Sequence, residues 1–181
     1  RGPGGRGISA FTNVPDSWDG ATGEGILWKT EVPLPGENSP VVWEGRIFLT
    51  GATEAKREVY CFDAATGQLL WAKPVSGIPG SPSEPPEILE ATGFAAPTAA
   101  TDGQRVYAMF ANGDLVSFDF SGNRVWAKSF WPLENTYGYA SSLDVTKGLL
   151  FLLLDQATAD DGKSALLALD VLTGRTVWQA K

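Results

Sequence analysis

Apolar and polar positions along the chain alternate in short runs, and each run ends on a turn signal. Runs rich in Val, Ile, Leu, Phe and Tyr occupy 39–43, 46–50, 58–62 and 69–73, then 94–100, 105–110, 114–118 and 124–128, then 139–145, 149–154, 164–169 and 175–179. Glu44-Gly45, Asp102-Gly103, Asn112-Gly113, Lys147-Gly148 and several Thr-Gly pairs separate them. Alternation over five or six residues, closed by a glycine-containing pair, is the signature of strands joined as hairpins. No stretch sustains a 3.6-residue period with caps. The pattern predicts an all-β chain built from groups of four antiparallel strands.

The groups share an ending. Asp63-Ala-Ala-Thr66-Gly67-Gln-Leu-Leu-Trp71 returns as Asp170-Val-Leu-Thr173-Gly174-Arg-Thr-Val-Trp178, and one residue shorter as Asp119-Phe-Ser121-Gly122-Asn-Arg-Val-Trp126. Thr22-Gly23-Glu-Gly-Ile-Leu-Trp28 is a partial fourth copy. Tryptophans 28, 71, 126 and 178 are thus separated by 43, 55 and 52 residues. A period near fifty marks a repeated supersecondary unit. Four strands per repeat is the arrangement of a β-propeller, whose blades pack face to face around a channel. A sandwich would share the hairpin spacing but not the repeated ending. The expected role of the ending is structural: the Asp carboxylate accepts hydrogen bonds across the turn, Gly takes a positive φ, and Trp lies on the neighbouring sheet with its indole N–H on a carbonyl. A catalytic role for Asp63, Asp119 or Asp170 is the competing reading.

The ending resembles the tryptophan-docking repeat of the pyrroloquinoline quinone-like propellers, Ala-x-Asp-x-x-Thr-Gly-x-x-x-Trp. Residues 168–178 match every fixed position, residues 61–71 depart only where Cys61 replaces Ala, and the middle copy lacks one turn residue. Arg1-Gly2-Pro3 followed by Gly7-Ile8-Ser9 is similar to the opening of many secreted bacterial members. The resemblance implies a periplasmic or secreted protein. It also implies this division: an N-terminal extension (1–25), an outer strand that would complete the last blade (26–38, with its core at 26–32), and three blades at 39–75, 76–129 and 130–181. Members have seven or eight blades, so this partial propeller is expected to be the N-terminal part of a longer ring, or to be closed by other chains. Unpaired edges and bare sheet faces would otherwise invite aggregation.

Composition narrows the chemistry. The 181 residues include no His and one Cys, which removes Ser-His-Asp and Cys-His catalysis, His-ligated metals and an intrachain disulfide. Fourteen basic against 21 acidic side chains, net charge −7 and no clustered Lys or Arg argue against nucleic acid and anionic membrane surfaces. The longest dense apolar run, 149–154, is far short of the roughly 20 residues that cross a bilayer as a helix. The absence of an initial Met and of an apolar leader suggests a processed or trimmed piece.

Connections are tight at one end of the strands, as at 44–45, 64–67 and 146–148, and long at the other, as at 51–57, 75–93, 129–138 and 155–163. Long loops on one rim of a rigid scaffold are where binding usually resides. Residues 75–93 carry Pro79, Pro82, Pro85 and Pro86 with Glu84, Glu87 and Glu90, which reads either as a stiff acidic connector or as a partner-binding loop. Trp131, Tyr137 and Tyr139 either line a channel mouth and stack on a flat ligand or sugar, or pack between blades. Asp155, Asp160 and Asp161 offer carboxylates to Ca²⁺, although Asp161-Gly162 is also an ordinary turn.

Two functions follow. One is a non-catalytic propeller scaffold that binds a protein or polysaccharide partner through the long-loop face, with no evident cofactor or metal. The other, implied by the family's alcohol dehydrogenases, is a fragment of a quinone- and calcium-dependent alcohol or sugar dehydrogenase. Those enzymes carry an adjacent Cys pair and a Glu-Asn-Asp calcium set. Here Cys61 stands alone, and Glu134-Asn135 has no motif around it.

Overall fold

The computed structural model describes Ile8 and residues 11–181. Arg1-Gly2-Pro3, Gly7 and Ser9 therefore lie outside the described residues. The chain divides into two compact units, Arg1–Thr30 and Glu31–Lys181. In the first, Asp19 Oδ1 accepts hydrogen bonds from the Ala21 and Thr22 amides at 2.7 and 3.3 Å, and Gly23 N donates to Asp19 O.

The second unit holds twelve strands in three four-stranded antiparallel sheets, each in simple meander order. The first sheet is β1 (Val41–Trp43), β2 (Arg46–Ala52), β3 (Arg57–Asp63) and β4 (Leu69–Pro74); the second is β5 (Ala100–Thr101), β6 (Arg105–Met109), β7 (Asp114–Asp119) and β8 (Arg124–Ser129). The third is β9 (Asp144–Thr146), β10 (Leu149–Leu154), β11 (Ala165–Asp170) and β12 (Thr176–Ala180). No α-helix occurs among the described residues, and a short 3₁₀ turn spans Ala159–Asp161. The architecture is that of a β-propeller whose sheets do not close into a ring.

The period-2 pattern explains the stacking. In the middle sheet Val106, Ala108 and Val116 join the cluster with Phe48, Val59 and Cys61 of the first sheet. Their alternates Tyr107, Met109 and Leu115 join Leu150, Leu152, Leu167 and Leu169 of the third. A sheet covered on both faces has no polar face, which is why β6 and β7 read as nearly continuous apolar runs. The third sheet is covered on one side only, so Leu153, Leu166 and Val177 remain exposed.

Two sequence expectations change at the edges. Residues 94–99 and 139–143 are not ladder strands; β5 and β9 are only two and three residues long. Their backbone is hydrogen-bonded sideways instead: Ser39 N donates to Thr98 Oγ1 (3.1 Å), Thr98 N to Ser142 Oγ (3.3 Å), and Leu143 N to Thr98 O (3.1 Å). The segments that lead into β1, β5 and β9 are thereby stitched to one another. Residues 26–38 carry no regular ladder either. From Glu31 onward this segment is held by single bonds, Ala52 N to Pro35 O (2.8 Å) and Glu37 N to Ala95 O (3.1 Å), and by the Asn38 side chain, which bridges Thr50 O and Ala95 O.

Candidate functional site

The repeated endings sit on the tight-turn face. Asp63 Oδ1 accepts from the Ala65 and Thr66 amides and from Thr66 Oγ1 (2.8 Å), and Asp170 Oδ1 does the same with Leu172, Thr173 and Thr173 Oγ1 (2.7 Å). The shorter middle turn solves the problem differently: Asp119 accepts from the Ser121 and Asn123 amides and from Asn123 Nδ2 (2.9 Å). These bonds stabilise the ionised form, so all three carboxyls titrate below the ordinary Asp range; the side-chain donors Thr66, Asn123 and Thr173 contribute most. Asp19 is lowered likewise, chiefly by the Ala21 amide. Asp19 through Thr22-Gly23 is thus a fourth turn of this kind and completes the partial copy that ends at Trp28, with one extra residue between Gly23 and Trp28.

Beyond each turn the register slips by one residue, between Cys61 and Phe62, Ser117 and Phe118, and Ala168 and Leu169. This bulge follows the pairing that places Trp71 opposite Cys61, Trp126 opposite Ser117 and Trp178 opposite Ala168. Trp71 Nε1 donates to Phe120 O of the next sheet's turn (3.0 Å), and Trp126 Nε1 to Val171 O (2.9 Å). Gly122 and Gly174, at φ +82° and +68°, leave the room the two rings occupy. Trp178 stays 40% exposed, with Phe151 beside its ring. Cys61 is fully buried in β3, and desolvation pushes its thiol up to about 11.

The long-loop face is organised differently. Its connections are tied to one another by backbone bonds: Val75 N to Arg57 O, Ala111 N to Phe94 O, Leu89 N to Thr136 O, Tyr139 N to Ala111 O, and Ala157 N to Glu134 O. Asn135 Nδ2 donates to Asp155 O (2.9 Å), and the Lys163 ammonium pairs with Glu134. Beneath this layer is a buried polar group absent from the sequence reading. Asp114, with no exposed side-chain surface, accepts from Ser81 Oγ (2.7 Å) and Asn112 Nδ2 (2.8 Å), and Arg57 Nε lies 3.6 Å away. Nothing in Asn112-Gly113-Asp114 signals it, because the triplet reads as a plain turn.

Two grooves open on this face. One, of about 920 Å³, runs between the 35–37 and 52–54 segments and the proline-rich loop; it contains Glu37, Glu54, Glu87 and Glu90 together with Ile88 and Phe94. The second, about 720 Å³, lies on the other side of Glu87 and Ile88, against Tyr137 and Asp155. The expected aromatic trio separates. Tyr137 is exposed and Tyr139 is core; together they line a small pocket of about 210 Å³. Trp131 lies outside these pockets, its backbone against Gly113. Asp161 Oδ2 accepts from Thr158 N and Oγ1, and Asp155 Oδ1 from Ser164 Oγ, so these carboxylates hold their own loop. Among the described residues no three His, Cys, Asp or Glu side chains converge as a metal site.

Comparison with known proteins agrees with this geometry. No curated protein matches the chain. Among solved structures it is similar to BamB from Moraxella catarrhalis (TM-score 0.55, 18% identity, 86% of this chain and 42% of that one). It is also similar to a europium-containing methanol dehydrogenase (TM-score 0.57, 15% identity, 81% and 25%). A third is a quinohemoprotein alcohol dehydrogenase from Pseudomonas putida HK5 (TM-score 0.56, 22% identity, 84% and 21%). The chain therefore spans less than half the length of each, and these likenesses carry the fold alone. The family described as outer membrane protein assembly factor BamB matches over residues 16–137 and again over 59–181. The chain belongs to this family of pyrroloquinoline quinone-like repeats.

Proposed function

We propose that the chain is a non-catalytic propeller scaffold of the bacterial envelope that binds a protein or polysaccharide partner through its long-loop face, as part of a ring completed by further blades or other chains. The observation that carries this reading is the division of labour between the two ends of the sheets. Tight turns at one end are consumed in holding blades together, whereas the other end presents two grooves on loops fixed by lateral hydrogen bonds. A rigid scaffold with long loops on one rim is suited to recognition. The match to an assembly-factor family supports a protein partner and an envelope location.

The alternative reading is a fragment of a quinone- and calcium-dependent dehydrogenase, a class whose members share this fold. Against it, no group of three ligating His, Cys, Asp or Glu side chains converges among the described residues, and Cys61 is buried within a sheet, away from the rim. No catalytic step is derived through a quinone.

The test is an absorbance titration of the protein with pyrroloquinoline quinone and Ca²⁺, followed by a dye-linked alcohol oxidation assay. The scaffold reading predicts the spectrum of free quinone and no oxidation; a shifted band with turnover overturns it.

A further inference from the structure

The larger groove has a chemistry that specifies its partner more narrowly. Glu37, Glu54, Glu87 and Glu90 all border it and all are exposed, and no Lys or Arg lines it. The carboxylates are spread along the groove: among the described residues no three of them converge as they would around a single ion. Spaced negative charges fit a string of separate cations. Between them Ile88 and Phe94 supply apolar surface.

A second observation concerns the whole face. Its loops hold three cations, Lys56, Arg57 and Lys163. Arg57 faces buried Asp114 and Lys163 is paired with Glu134, so the face as a whole is strongly acidic. The tight turns, by contrast, alternate acidic residues with Arg46, Arg105, Arg124, Lys147 and Arg175. An acidic, partly apolar cleft concentrates a cationic ligand and accelerates its arrival. The wall that carries Glu87 and Glu90 is also preorganised. Pro79, Pro82, Pro85 and Pro86 restrict its backbone, Ser81 anchors it to Asp114, and Leu89 N bonds to Thr136 O, so little order remains to be imposed on binding.

We propose that this groove binds an extended, basic segment of a protein partner, with Lys or Arg side chains on the four glutamates and apolar side chains against Ile88 and Phe94. The proposal rests on the scaffold reading above and names the partner's chemistry.

The test is fluorescence anisotropy of the protein with three fluorescein-labelled twelve-residue peptides: repeating Lys-Val-Pro, repeating Glu-Val-Pro and repeating Lys-Gly-Ser. The expected result is that Lys-Val-Pro binds at least tenfold more tightly than either of the others at 50 mM NaCl and weakens about tenfold by 300 mM. The double variant Glu87→Lys/Glu90→Lys, on the exposed loop, should lose at least tenfold in affinity with unchanged circular dichroism and melting temperature. Failure of Lys-Val-Pro to bind, equal binding of the acidic peptide, or an unaffected double variant would overturn the proposal. If the acidic peptide or an oligosaccharide binds instead and Tyr137→Ala weakens it, the basic-segment inference fails and the scaffold reading stands. If only quinone with Ca²⁺ binds and turns over, both fail.

Discussion

Trp126 and Gly174 form an interlock between the second and third sheets: a Cβ on Gly174 would fall 2.7 Å from Trp126 Cε3, while the indole N–H reaches Val171 O at 2.9 Å. Trp71 reaches Phe120 O in the same way, but at Gly122 the nearest atom to such a Cβ is the flexible Lys73 Cε at 2.5 Å, with the Trp71 ring at 3.2 Å. At position 174 a glycine is needed twice over, for its positive φ and for the ring above it. Gly174→Ala should therefore cost roughly 2–5 kcal/mol, combining left-handed backbone strain with overpacking against a rigid ring. Gly148→Ala, at φ +76° with nothing within 4 Å, should cost only about 1–2 kcal/mol. Urea denaturation of the two variants checks the difference.

The indole hydrogen bonds should be of similar worth. Tyr107 OH lies 3.2 Å from Val171 O, but its single proton goes to Asp102 Oδ2 at 2.7 Å, so Trp126→Phe leaves that carbonyl without a donor and should cost about 1–3 kcal/mol. Trp71→Phe removes the indole from Phe120 O and should cost about the same. A clear difference between the two variants in denaturant midpoint would contradict the assignment.

Acid should loosen the turns. Asp19, Asp63, Asp119 and Asp170 all have carboxyls lowered by hydrogen bonding in the folded chain. The folded state therefore binds fewer protons than the unfolded state around pH 4. Their contribution is fully present above the unfolded value near 3.9 and is lost as pH falls through the lower folded values. Denaturant midpoints measured from pH 6 down to pH 3 should fall at the acid end, and Asp170→Asn should flatten part of that fall.

Asp114→Asn should cost about 2–3 kcal/mol, toward the lower end for a broken buried pair because Arg57 keeps a solvent-accessible flank. It should also weaken the hold on residues 75–93 through Ser81, seen as faster limited proteolysis within that loop with the sheets intact.

The sheets were legible because each strand obeys one local rule, period-2 alternation closed by a glycine pair. The Asp-x-x-Thr-Gly turns were legible because one short motif encodes both a carboxylate cap and a positive φ. Residues 94–99 and 139–143 were misread because apolar alternation does not reveal whether a backbone N–H finds a ladder partner or, as with Leu143 and Thr98, a neighbouring sheet. The pairing of Ser81 with Asp114 spans 33 residues of sequence and has no local signature. The acidic groove was half visible, in Glu87 and Glu90; Glu37 and Glu54 join it only through folding.

The most direct measurement of the scaffold account is capture of envelope proteins and surface glycans on the immobilised protein, run beside two face-specific variants. The account predicts a defined bound species that is lost with Leu89→Ser/Tyr137→Ala on the long-loop face and retained with Lys147→Ala on the tight-turn face. Capture of nothing by the unaltered protein, or a loss that follows Lys147→Ala instead, would contradict it.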